Sequence, residues 1–120
     1  MNEIRLGVVE SRFADIVWER APLPTSELIK ICASEFDWKR TTTYTVLKRL
    51  SERGIFKNDN GTVTALISKE EFYSMQSEKF VNESFGGSLP AFIAAFTSRQ
   101  SLRDDEIAEI RAIIENMKRN

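Results

Sequence analysis

KRTTTYTVLKRLSER, residues Lys39 to Arg53, is the stretch whose reading decides the fold. Set on a helix at about 100° per residue, Thr43, Val46, Leu47 and Leu50 fall on one side, and Thr41, Tyr44, Thr45 and Lys48 on the other. The first face can bury itself. The second is hydroxyl-rich, aromatic and cationic, with no acid before Glu52. Such a face suits a helix lying in a groove of nucleic acid, where hydroxyls and long cations meet phosphates and base edges. An ordinary solvated amphipathic helix has much the same composition, so the neighbouring segments carry the decision.

Upstream, Leu6 to Arg20 reads as a first helix with Val9, Phe13, Ile16 and Val17 on its apolar stripe. Trp18 is expected to seal its end, and Glu10 and Asp15 to lie on a solvated face without a role. Ala21-Pro22-Leu23-Pro24 stops the helix, because proline cannot continue it and disfavours helical backbone before it. Thr25 then reads as the N-cap of a second helix to about Phe36, with Leu28, Ile29, Cys32 and Phe36 at helical spacing. Cys32 on that stripe is expected to be a small buried hydrophobe. Asp37-Trp38 makes a short turn before Lys39. Two short helices joined by a few residues, the second with a polar outer face, form a helix-turn-helix.

Downstream, Gly54 closes the third helix as its C′ residue. Ile55-Phe56-Lys57 reads as a strand, Asn60-Gly61 as a hairpin turn, and Thr62 to Ile67 as the return strand. Three helices followed by a β-hairpin make a winged helix-turn-helix, here residues 1–67. Lys57, Asn58 and Asn60 near the hairpin tip are candidates to rest on a phosphate backbone, although a plain solvated turn accounts for them nearly as well.

Residues 68–120 form a helical extension. Ser68 and Glu71 form a capping box at the start of a fourth helix. Gly86-Gly87 breaks it, Ser88 caps a short apolar helix from Leu89 to Phe96, and a last helix runs from about Asp104 to Lys118. Asp104, Asp105 and Glu106 sit at the positive end of that helix, and Lys118 and Arg119 at its negative end. Phe72, Met75, Phe85, Leu89, Phe92, Phe96, Ile107, Ile110, Ile114 and Met117 carry more apolar surface than three short helices can enclose. Pairing with a second copy is the simplest remedy; folding back on the winged helix is the alternative. These ten residues are the candidate dimerisation set.

Hydrophobic residues make up 42 % of the 120, enough for one core, and 29 % are charged, as in an ordinary soluble domain. The formal net charge of −1 argues globally against a nucleic-acid partner. Its distribution argues the other way. Lys39 to Lys57 hold six cations (Lys39, Arg40, Lys48, Arg49, Arg53, Lys57) against Glu52, a balance of +5, whereas residues 68–120 hold seven cations against nine acids. No apolar run approaches the roughly 20 residues of a membrane span. Glu3 and Arg5 stand where a secretory signal needs an apolar core. A cytoplasmic location, no membrane partner and no disulfide are the expectation, since Cys32 is the sole cysteine. With no histidine, zinc-type sites and histidine-based triads are excluded, and no phosphate loop is present. No enzyme, cofactor or metal is expected.

The order of elements and several strings resemble the penicillinase-repressor family of bacterial transcriptional regulators. The strings are IVWER at 16–20, Thr42-Thr-Tyr-Thr45-Val-Leu-Lys-Arg49-Leu, Gly54, and SKEEF, KF and FGGSL through the tail. The resemblance covers nearly the whole chain. It implies a homodimeric winged-helix repressor on palindromic double-stranded DNA operators, relieved by a regulatory protease or by metal. Under it, Thr42 and Thr45 match two helix threonines that face DNA, and Arg49 matches a basic residue later in the helix. Thr41 and Tyr44 depart from the family's Lys and Arg or Gln. Ala95-Phe96 stands where antibiotic-responsive members have their Asn-Phe cleavage bond, and the cysteine motif of the copper-responsive branch is missing. Thr62-Val63-Thr64-Ala65-Leu66 lacks the wing's usual arginine and aromatic residue.

The resulting expectation is a helix, residues 39–53, in the major groove. Thr41, Tyr44, Thr45 and Lys48 reach bases or nearby phosphates, while Lys39, Arg40, Thr42 and Arg49 hold the backbone, with Lys57 and Asn60 on the wing. The rival from another class is a winged-helix adaptor that binds protein through the apolar tail and no specific DNA.

Overall fold

The computed structural model describes residues 6–118; Glu3, Arg5 and Arg119 lie outside them. The chain order is α1 (Val8–Arg20), β1 (Leu23–Pro24), α2 (Thr25–Phe36), α3 (Arg40–Glu52), β2 (Phe56–Asp59), β3 (Thr62–Ala65), α4 (Lys69–Phe85), α5 (Leu89–Thr97) and α6 (Asp104–Lys118). It is the expected mostly helical winged helix followed by C-terminal helices. The chain divides into two compact units, Met1–Glu78 and Lys79–Asn120, so the division falls within α4.

In the first unit, α1, α2 and α3 bury one stripe each around Phe13, Val17, Leu28, Cys32, Leu47 and Leu50. Thr43, Val46, Leu47 and Leu50 are the buried residues of α3, the face that the 3.6-residue period selects. Cys32 is buried as a hydrophobe, and burial pushes its thiol up from the ordinary value. On α1, Ala14 is buried and Val9 is largely exposed, so the stripe lies one position round from the expected one. The turn between α2 and α3 is a Schellman-type stop. Asp37 takes the left-handed conformation (φ 57°), and the Trp38 N–H donates back to the Cys32 carbonyl at 3.4 Å. Trp38 then stacks against Phe36 and Phe13, with ring centroids 4.8 and 5.9 Å away, which fixes where α3 starts.

The sheet has three strands, in the order β1-β3-β2, all antiparallel. Asn60 and Gly61 both have positive φ (57° and 88°), the two-residue turn that matches the twist of a hairpin. The strands begin and end differently from the sequence expectation: β2 starts at Phe56 rather than Ile55, and β3 ends at Ala65 rather than Ile67. Nothing in the sequence pattern predicts β1. Leu23 pairs with Val63 and Pro24 with Thr62, so the segment that stops α1 also completes the sheet.

The structure corrects two assignments. Thr25 does not cap α2: Pro24 is the N-cap residue, and the Thr25 hydroxyl instead donates to the Asn58 side-chain carbonyl at 3.2 Å, tying α2 to the wing. Phe72, assigned to the dimerisation set, is 1 % exposed and sits in the core of the first unit against Trp18. The Ser68–Glu71 capping box forms as expected, each side chain accepting from the other's backbone N–H.

The second unit consists of the end of α4, α5 and α6. Phe80, Phe85, Phe92 and Phe96 form a chain of ring contacts with centroids 5.5–6.3 Å apart. Yet no residue of α5 or α6 is buried.

Candidate nucleic-acid interface

α3 presents its outer face as the sequence period requires: Thr41, Thr42, Tyr44, Thr45, Lys48 and Arg49 are all exposed, as are Lys39 at its N-cap and Arg40 in its first turn. Within that face the side chains are already organised. The Arg40 guanidinium lies over the Tyr44 ring, 5.6 Å from its centroid, a cation–π contact that holds both. The Thr45 hydroxyl donates to the Thr41 carbonyl at 2.9 Å, leaving its oxygen lone pairs as acceptors toward the outside.

Between α3 and the wing lies an open cleft of about 370 Å³. It brings together Tyr44, Lys48, Lys57 and the hairpin residue Asn58, all named from the sequence, and adds Ser51 and Leu66, which the sequence did not single out. Lys57 also lies 3.8 Å from Asp59 on its own strand, an exposed pair that a phosphate can readily replace. Asn60 is at the turn and exposed.

On the opposite flank of α3, Arg49 does not stand alone. Its guanidinium donates to Glu10 Oε2 of α1 at 2.5 Å, and Glu10 Oε1 accepts from the Gly7 backbone N–H at 3.4 Å. Glu10 therefore has a partner on the α3 flank, against the expectation of a role-free solvated acid. Burial pushes its carboxyl up, but the hydrogen bonds from Arg49 and Gly7 and the charges of Arg49 and Arg53 outweigh burial and hold it below the ordinary carboxylate value. Asp15 likewise pairs, with Lys69 at 2.9 Å, joining α1 to the start of α4.

The lowered Glu10 value sets a pH dependence. The ionised form is favoured by the folded state, so its stabilisation is present above the unfolded carboxylate value of about 4.3 and is lost as pH falls through the lower folded value. Glu10→Gln is accordingly expected to be less stable than the wild type at neutral pH, by up to about 1 kcal/mol. The gap should close in strong acid; denaturant titrations at neutral pH and near pH 3 measure both. A gap that persists unchanged in acid contradicts the linkage.

Of the candidate dimerisation residues, Met75, Leu89, Phe96, Ile114 and Met117 are exposed in the single chain, while Phe85, Phe92, Ile107 and Ile110 are half-buried. Ile113, which the 3-4-3 spacing passes over, is 62 % exposed. No helix of the described residues is long and apolar enough to cross a membrane.

The chain is 26 % identical over 113 residues to the methicillin resistance regulatory protein MecI of Staphylococcus aureus strain Mu50, covering 91 % of this chain and 92 % of that one. MecI of Mammaliicoccus sciuri is 25 % identical over the same shares. A penicillinase repressor of Staphylococcus aureus is 22 % identical over 122 residues, covering 98 % of this chain and 97 % of the relative. The family model described as penicillinase repressor matches residues 6–116, and the chain belongs to that family of transcriptional regulators.

Proposed function

We propose that the chain is a homodimeric repressor that places α3 in the major groove of a palindromic operator. The observation that carries the reading is the division of α3 into a buried face and an exposed hydroxyl-and-cation face beside a wing that carries Lys57. Tyr44, Thr45, Thr41 and Lys48 meet base edges or adjacent phosphates. Lys39, Arg40, Thr42 and Arg49 hold the backbone, joined by Lys57 and Asn60 from the wing. Residues 1–67 bind DNA and residues 68–120 pair, with Phe72 lent to the winged-helix core. Such a protein works in the cytoplasm, on DNA. A regulatory protease would meet Ala95–Phe96 within α5 rather than an Asn–Phe bond.

A salt titration of binding to duplex DNA tests the reading. Lys48→Ala is expected to weaken selected and random duplexes alike and to flatten the plot of log affinity against log salt by about one unit. Tyr44→Ala should instead change sequence preference, by about 1–3 kcal/mol at one base pair. A wild type whose weak binding is indifferent to salt would favour the protein-binding adaptor, which the overall charge of −1 also suits.

A further inference from the structure

The contact between α1 and α3 carries more than stability. Glu10 is 19 % exposed and Arg49 is 49 % exposed, so the carboxylate lies inside the contact and the guanidinium at its rim. One carboxylate oxygen is held by Arg49 and the other by the backbone N–H at the start of α1. An arginine beside a helix N-terminus is also the setting in which proteins hold a DNA phosphate. We propose that Glu10 is an internal stand-in for a DNA phosphate on Arg49, making it a specificity-determining residue that keeps this cation from strengthening non-specific binding.

The inference rests on the DNA-binding reading above. In the free protein Glu10 neutralises Arg49, so Arg49 adds little to the long-range attraction of any duplex. A phosphate must come close, and in the right direction, to draw the guanidinium from a carboxylate that is already well placed. A loosely docked random duplex does not meet that demand; a duplex that fits the whole α3 face does. Glu10 thus costs affinity everywhere but costs more on the wrong DNA. A carboxylate with this task needs no access to solvent, only a short bond to one flank of α3, and α1 supplies it from the turn that begins at Gly7.

The test uses the full chain and a short random-sequence duplex, with anisotropy read across a salt series for the wild type, E10Q, R49L and the double variant. E10Q is expected to bind the random duplex about fivefold more tightly and to steepen the salt slope by about one, as one further phosphate contact would. In the R49L background the same change should lose most of its effect. Equal or weaker binding by E10Q overturns the proposal, and so does a gain that survives intact without Arg49, which would mark a general charge effect. A merely structural Glu10 moves stability and affinity down together, whereas here they move in opposite directions. If E10Q does not fold, E10D keeps the charge but withdraws it from Arg49. Tighter binding by E10D is then expected, and unchanged binding overturns the proposal. A wild type without salt-dependent binding removes the DNA reading along with this one; a wild type that binds while E10Q gains nothing removes this one alone.

Discussion

Phe72→Ala is expected to destabilise the N-terminal unit by about 3–5 kcal/mol, a large fraction of the roughly 5–15 kcal/mol that holds a small domain together. The ring is 1 % exposed and packs against Trp18 and Tyr73, with centroids 5.7 and 5.1 Å away. Trp18 in turn meets Phe56 edge-on at 5.5 Å and donates its indole N–H to the Ile67 carbonyl at 3.1 Å. The first turns of α4 therefore close the underside of the winged helix, and removing the ring leaves a cavity that backbone this well tied cannot collapse to fill. Denaturant unfolding followed through tryptophan fluorescence measures the loss. The competing expectation, that Phe72 belongs to a dimer contact, gives the opposite pair of results: unchanged unfolding of a dissociated protein. A chain cut after Ile67 would likewise fail as a test of dimerisation, because the cut removes part of the core it means to leave intact.

How far the sequence could be read depends on how local each determinant is. The buried and exposed faces of α3 follow from the period alone, and Thr43, Val46, Leu47 and Leu50 lie where it puts them. The hairpin follows from Asn60-Gly61, because few other pairs accept two positive φ values in succession. What local pattern cannot supply is the identity of distant partners. Glu10 and Arg49 are 39 positions apart, and nothing in the stretch around Glu10 separates it from any acid on a wet helix face. β1 is two residues long, one of them proline, too short to show the alternation of a strand. It exists because Val63 offers it a backbone to pair with. Thr25 departs from its sequence reading for a related reason: its hydroxyl has a better use on Asn58 than on its own helix end. In α4 the apolar residues are plain, but periodicity does not say which of two units each one serves. Phe72 goes to the first, and Phe80 and Phe85 join the aromatic contacts of the second.

Joint replacement of Ile114 and Met117 by glutamate is expected to turn a dimer into a monomer and to weaken binding to a palindromic duplex by about 10²–10⁴-fold, the gain that tethering a second binding unit provides. Met117 is 70 % exposed in the single chain, with Ile113, Leu89, Ile114 and Phe96 also open. Apolar surface of that extent is rarely left to solvent by a soluble chain, and the ring contacts around Phe92 leave these side chains open. Glutamate is a good helix former, so α6 should persist and the loss should fall on association. Neither residue belongs to the core of the N-terminal unit, whose unfolding should stay as in the wild type. Sedimentation gives the oligomeric state. Binding to duplexes carrying one or two copies of a selected half-site then separates the two effects, because a monomer loses the advantage of the second copy and keeps the first. A variant that still sediments as a dimer would mean that the paired surface lies elsewhere, with Leu89 and Phe96 on α5 the next residues to charge.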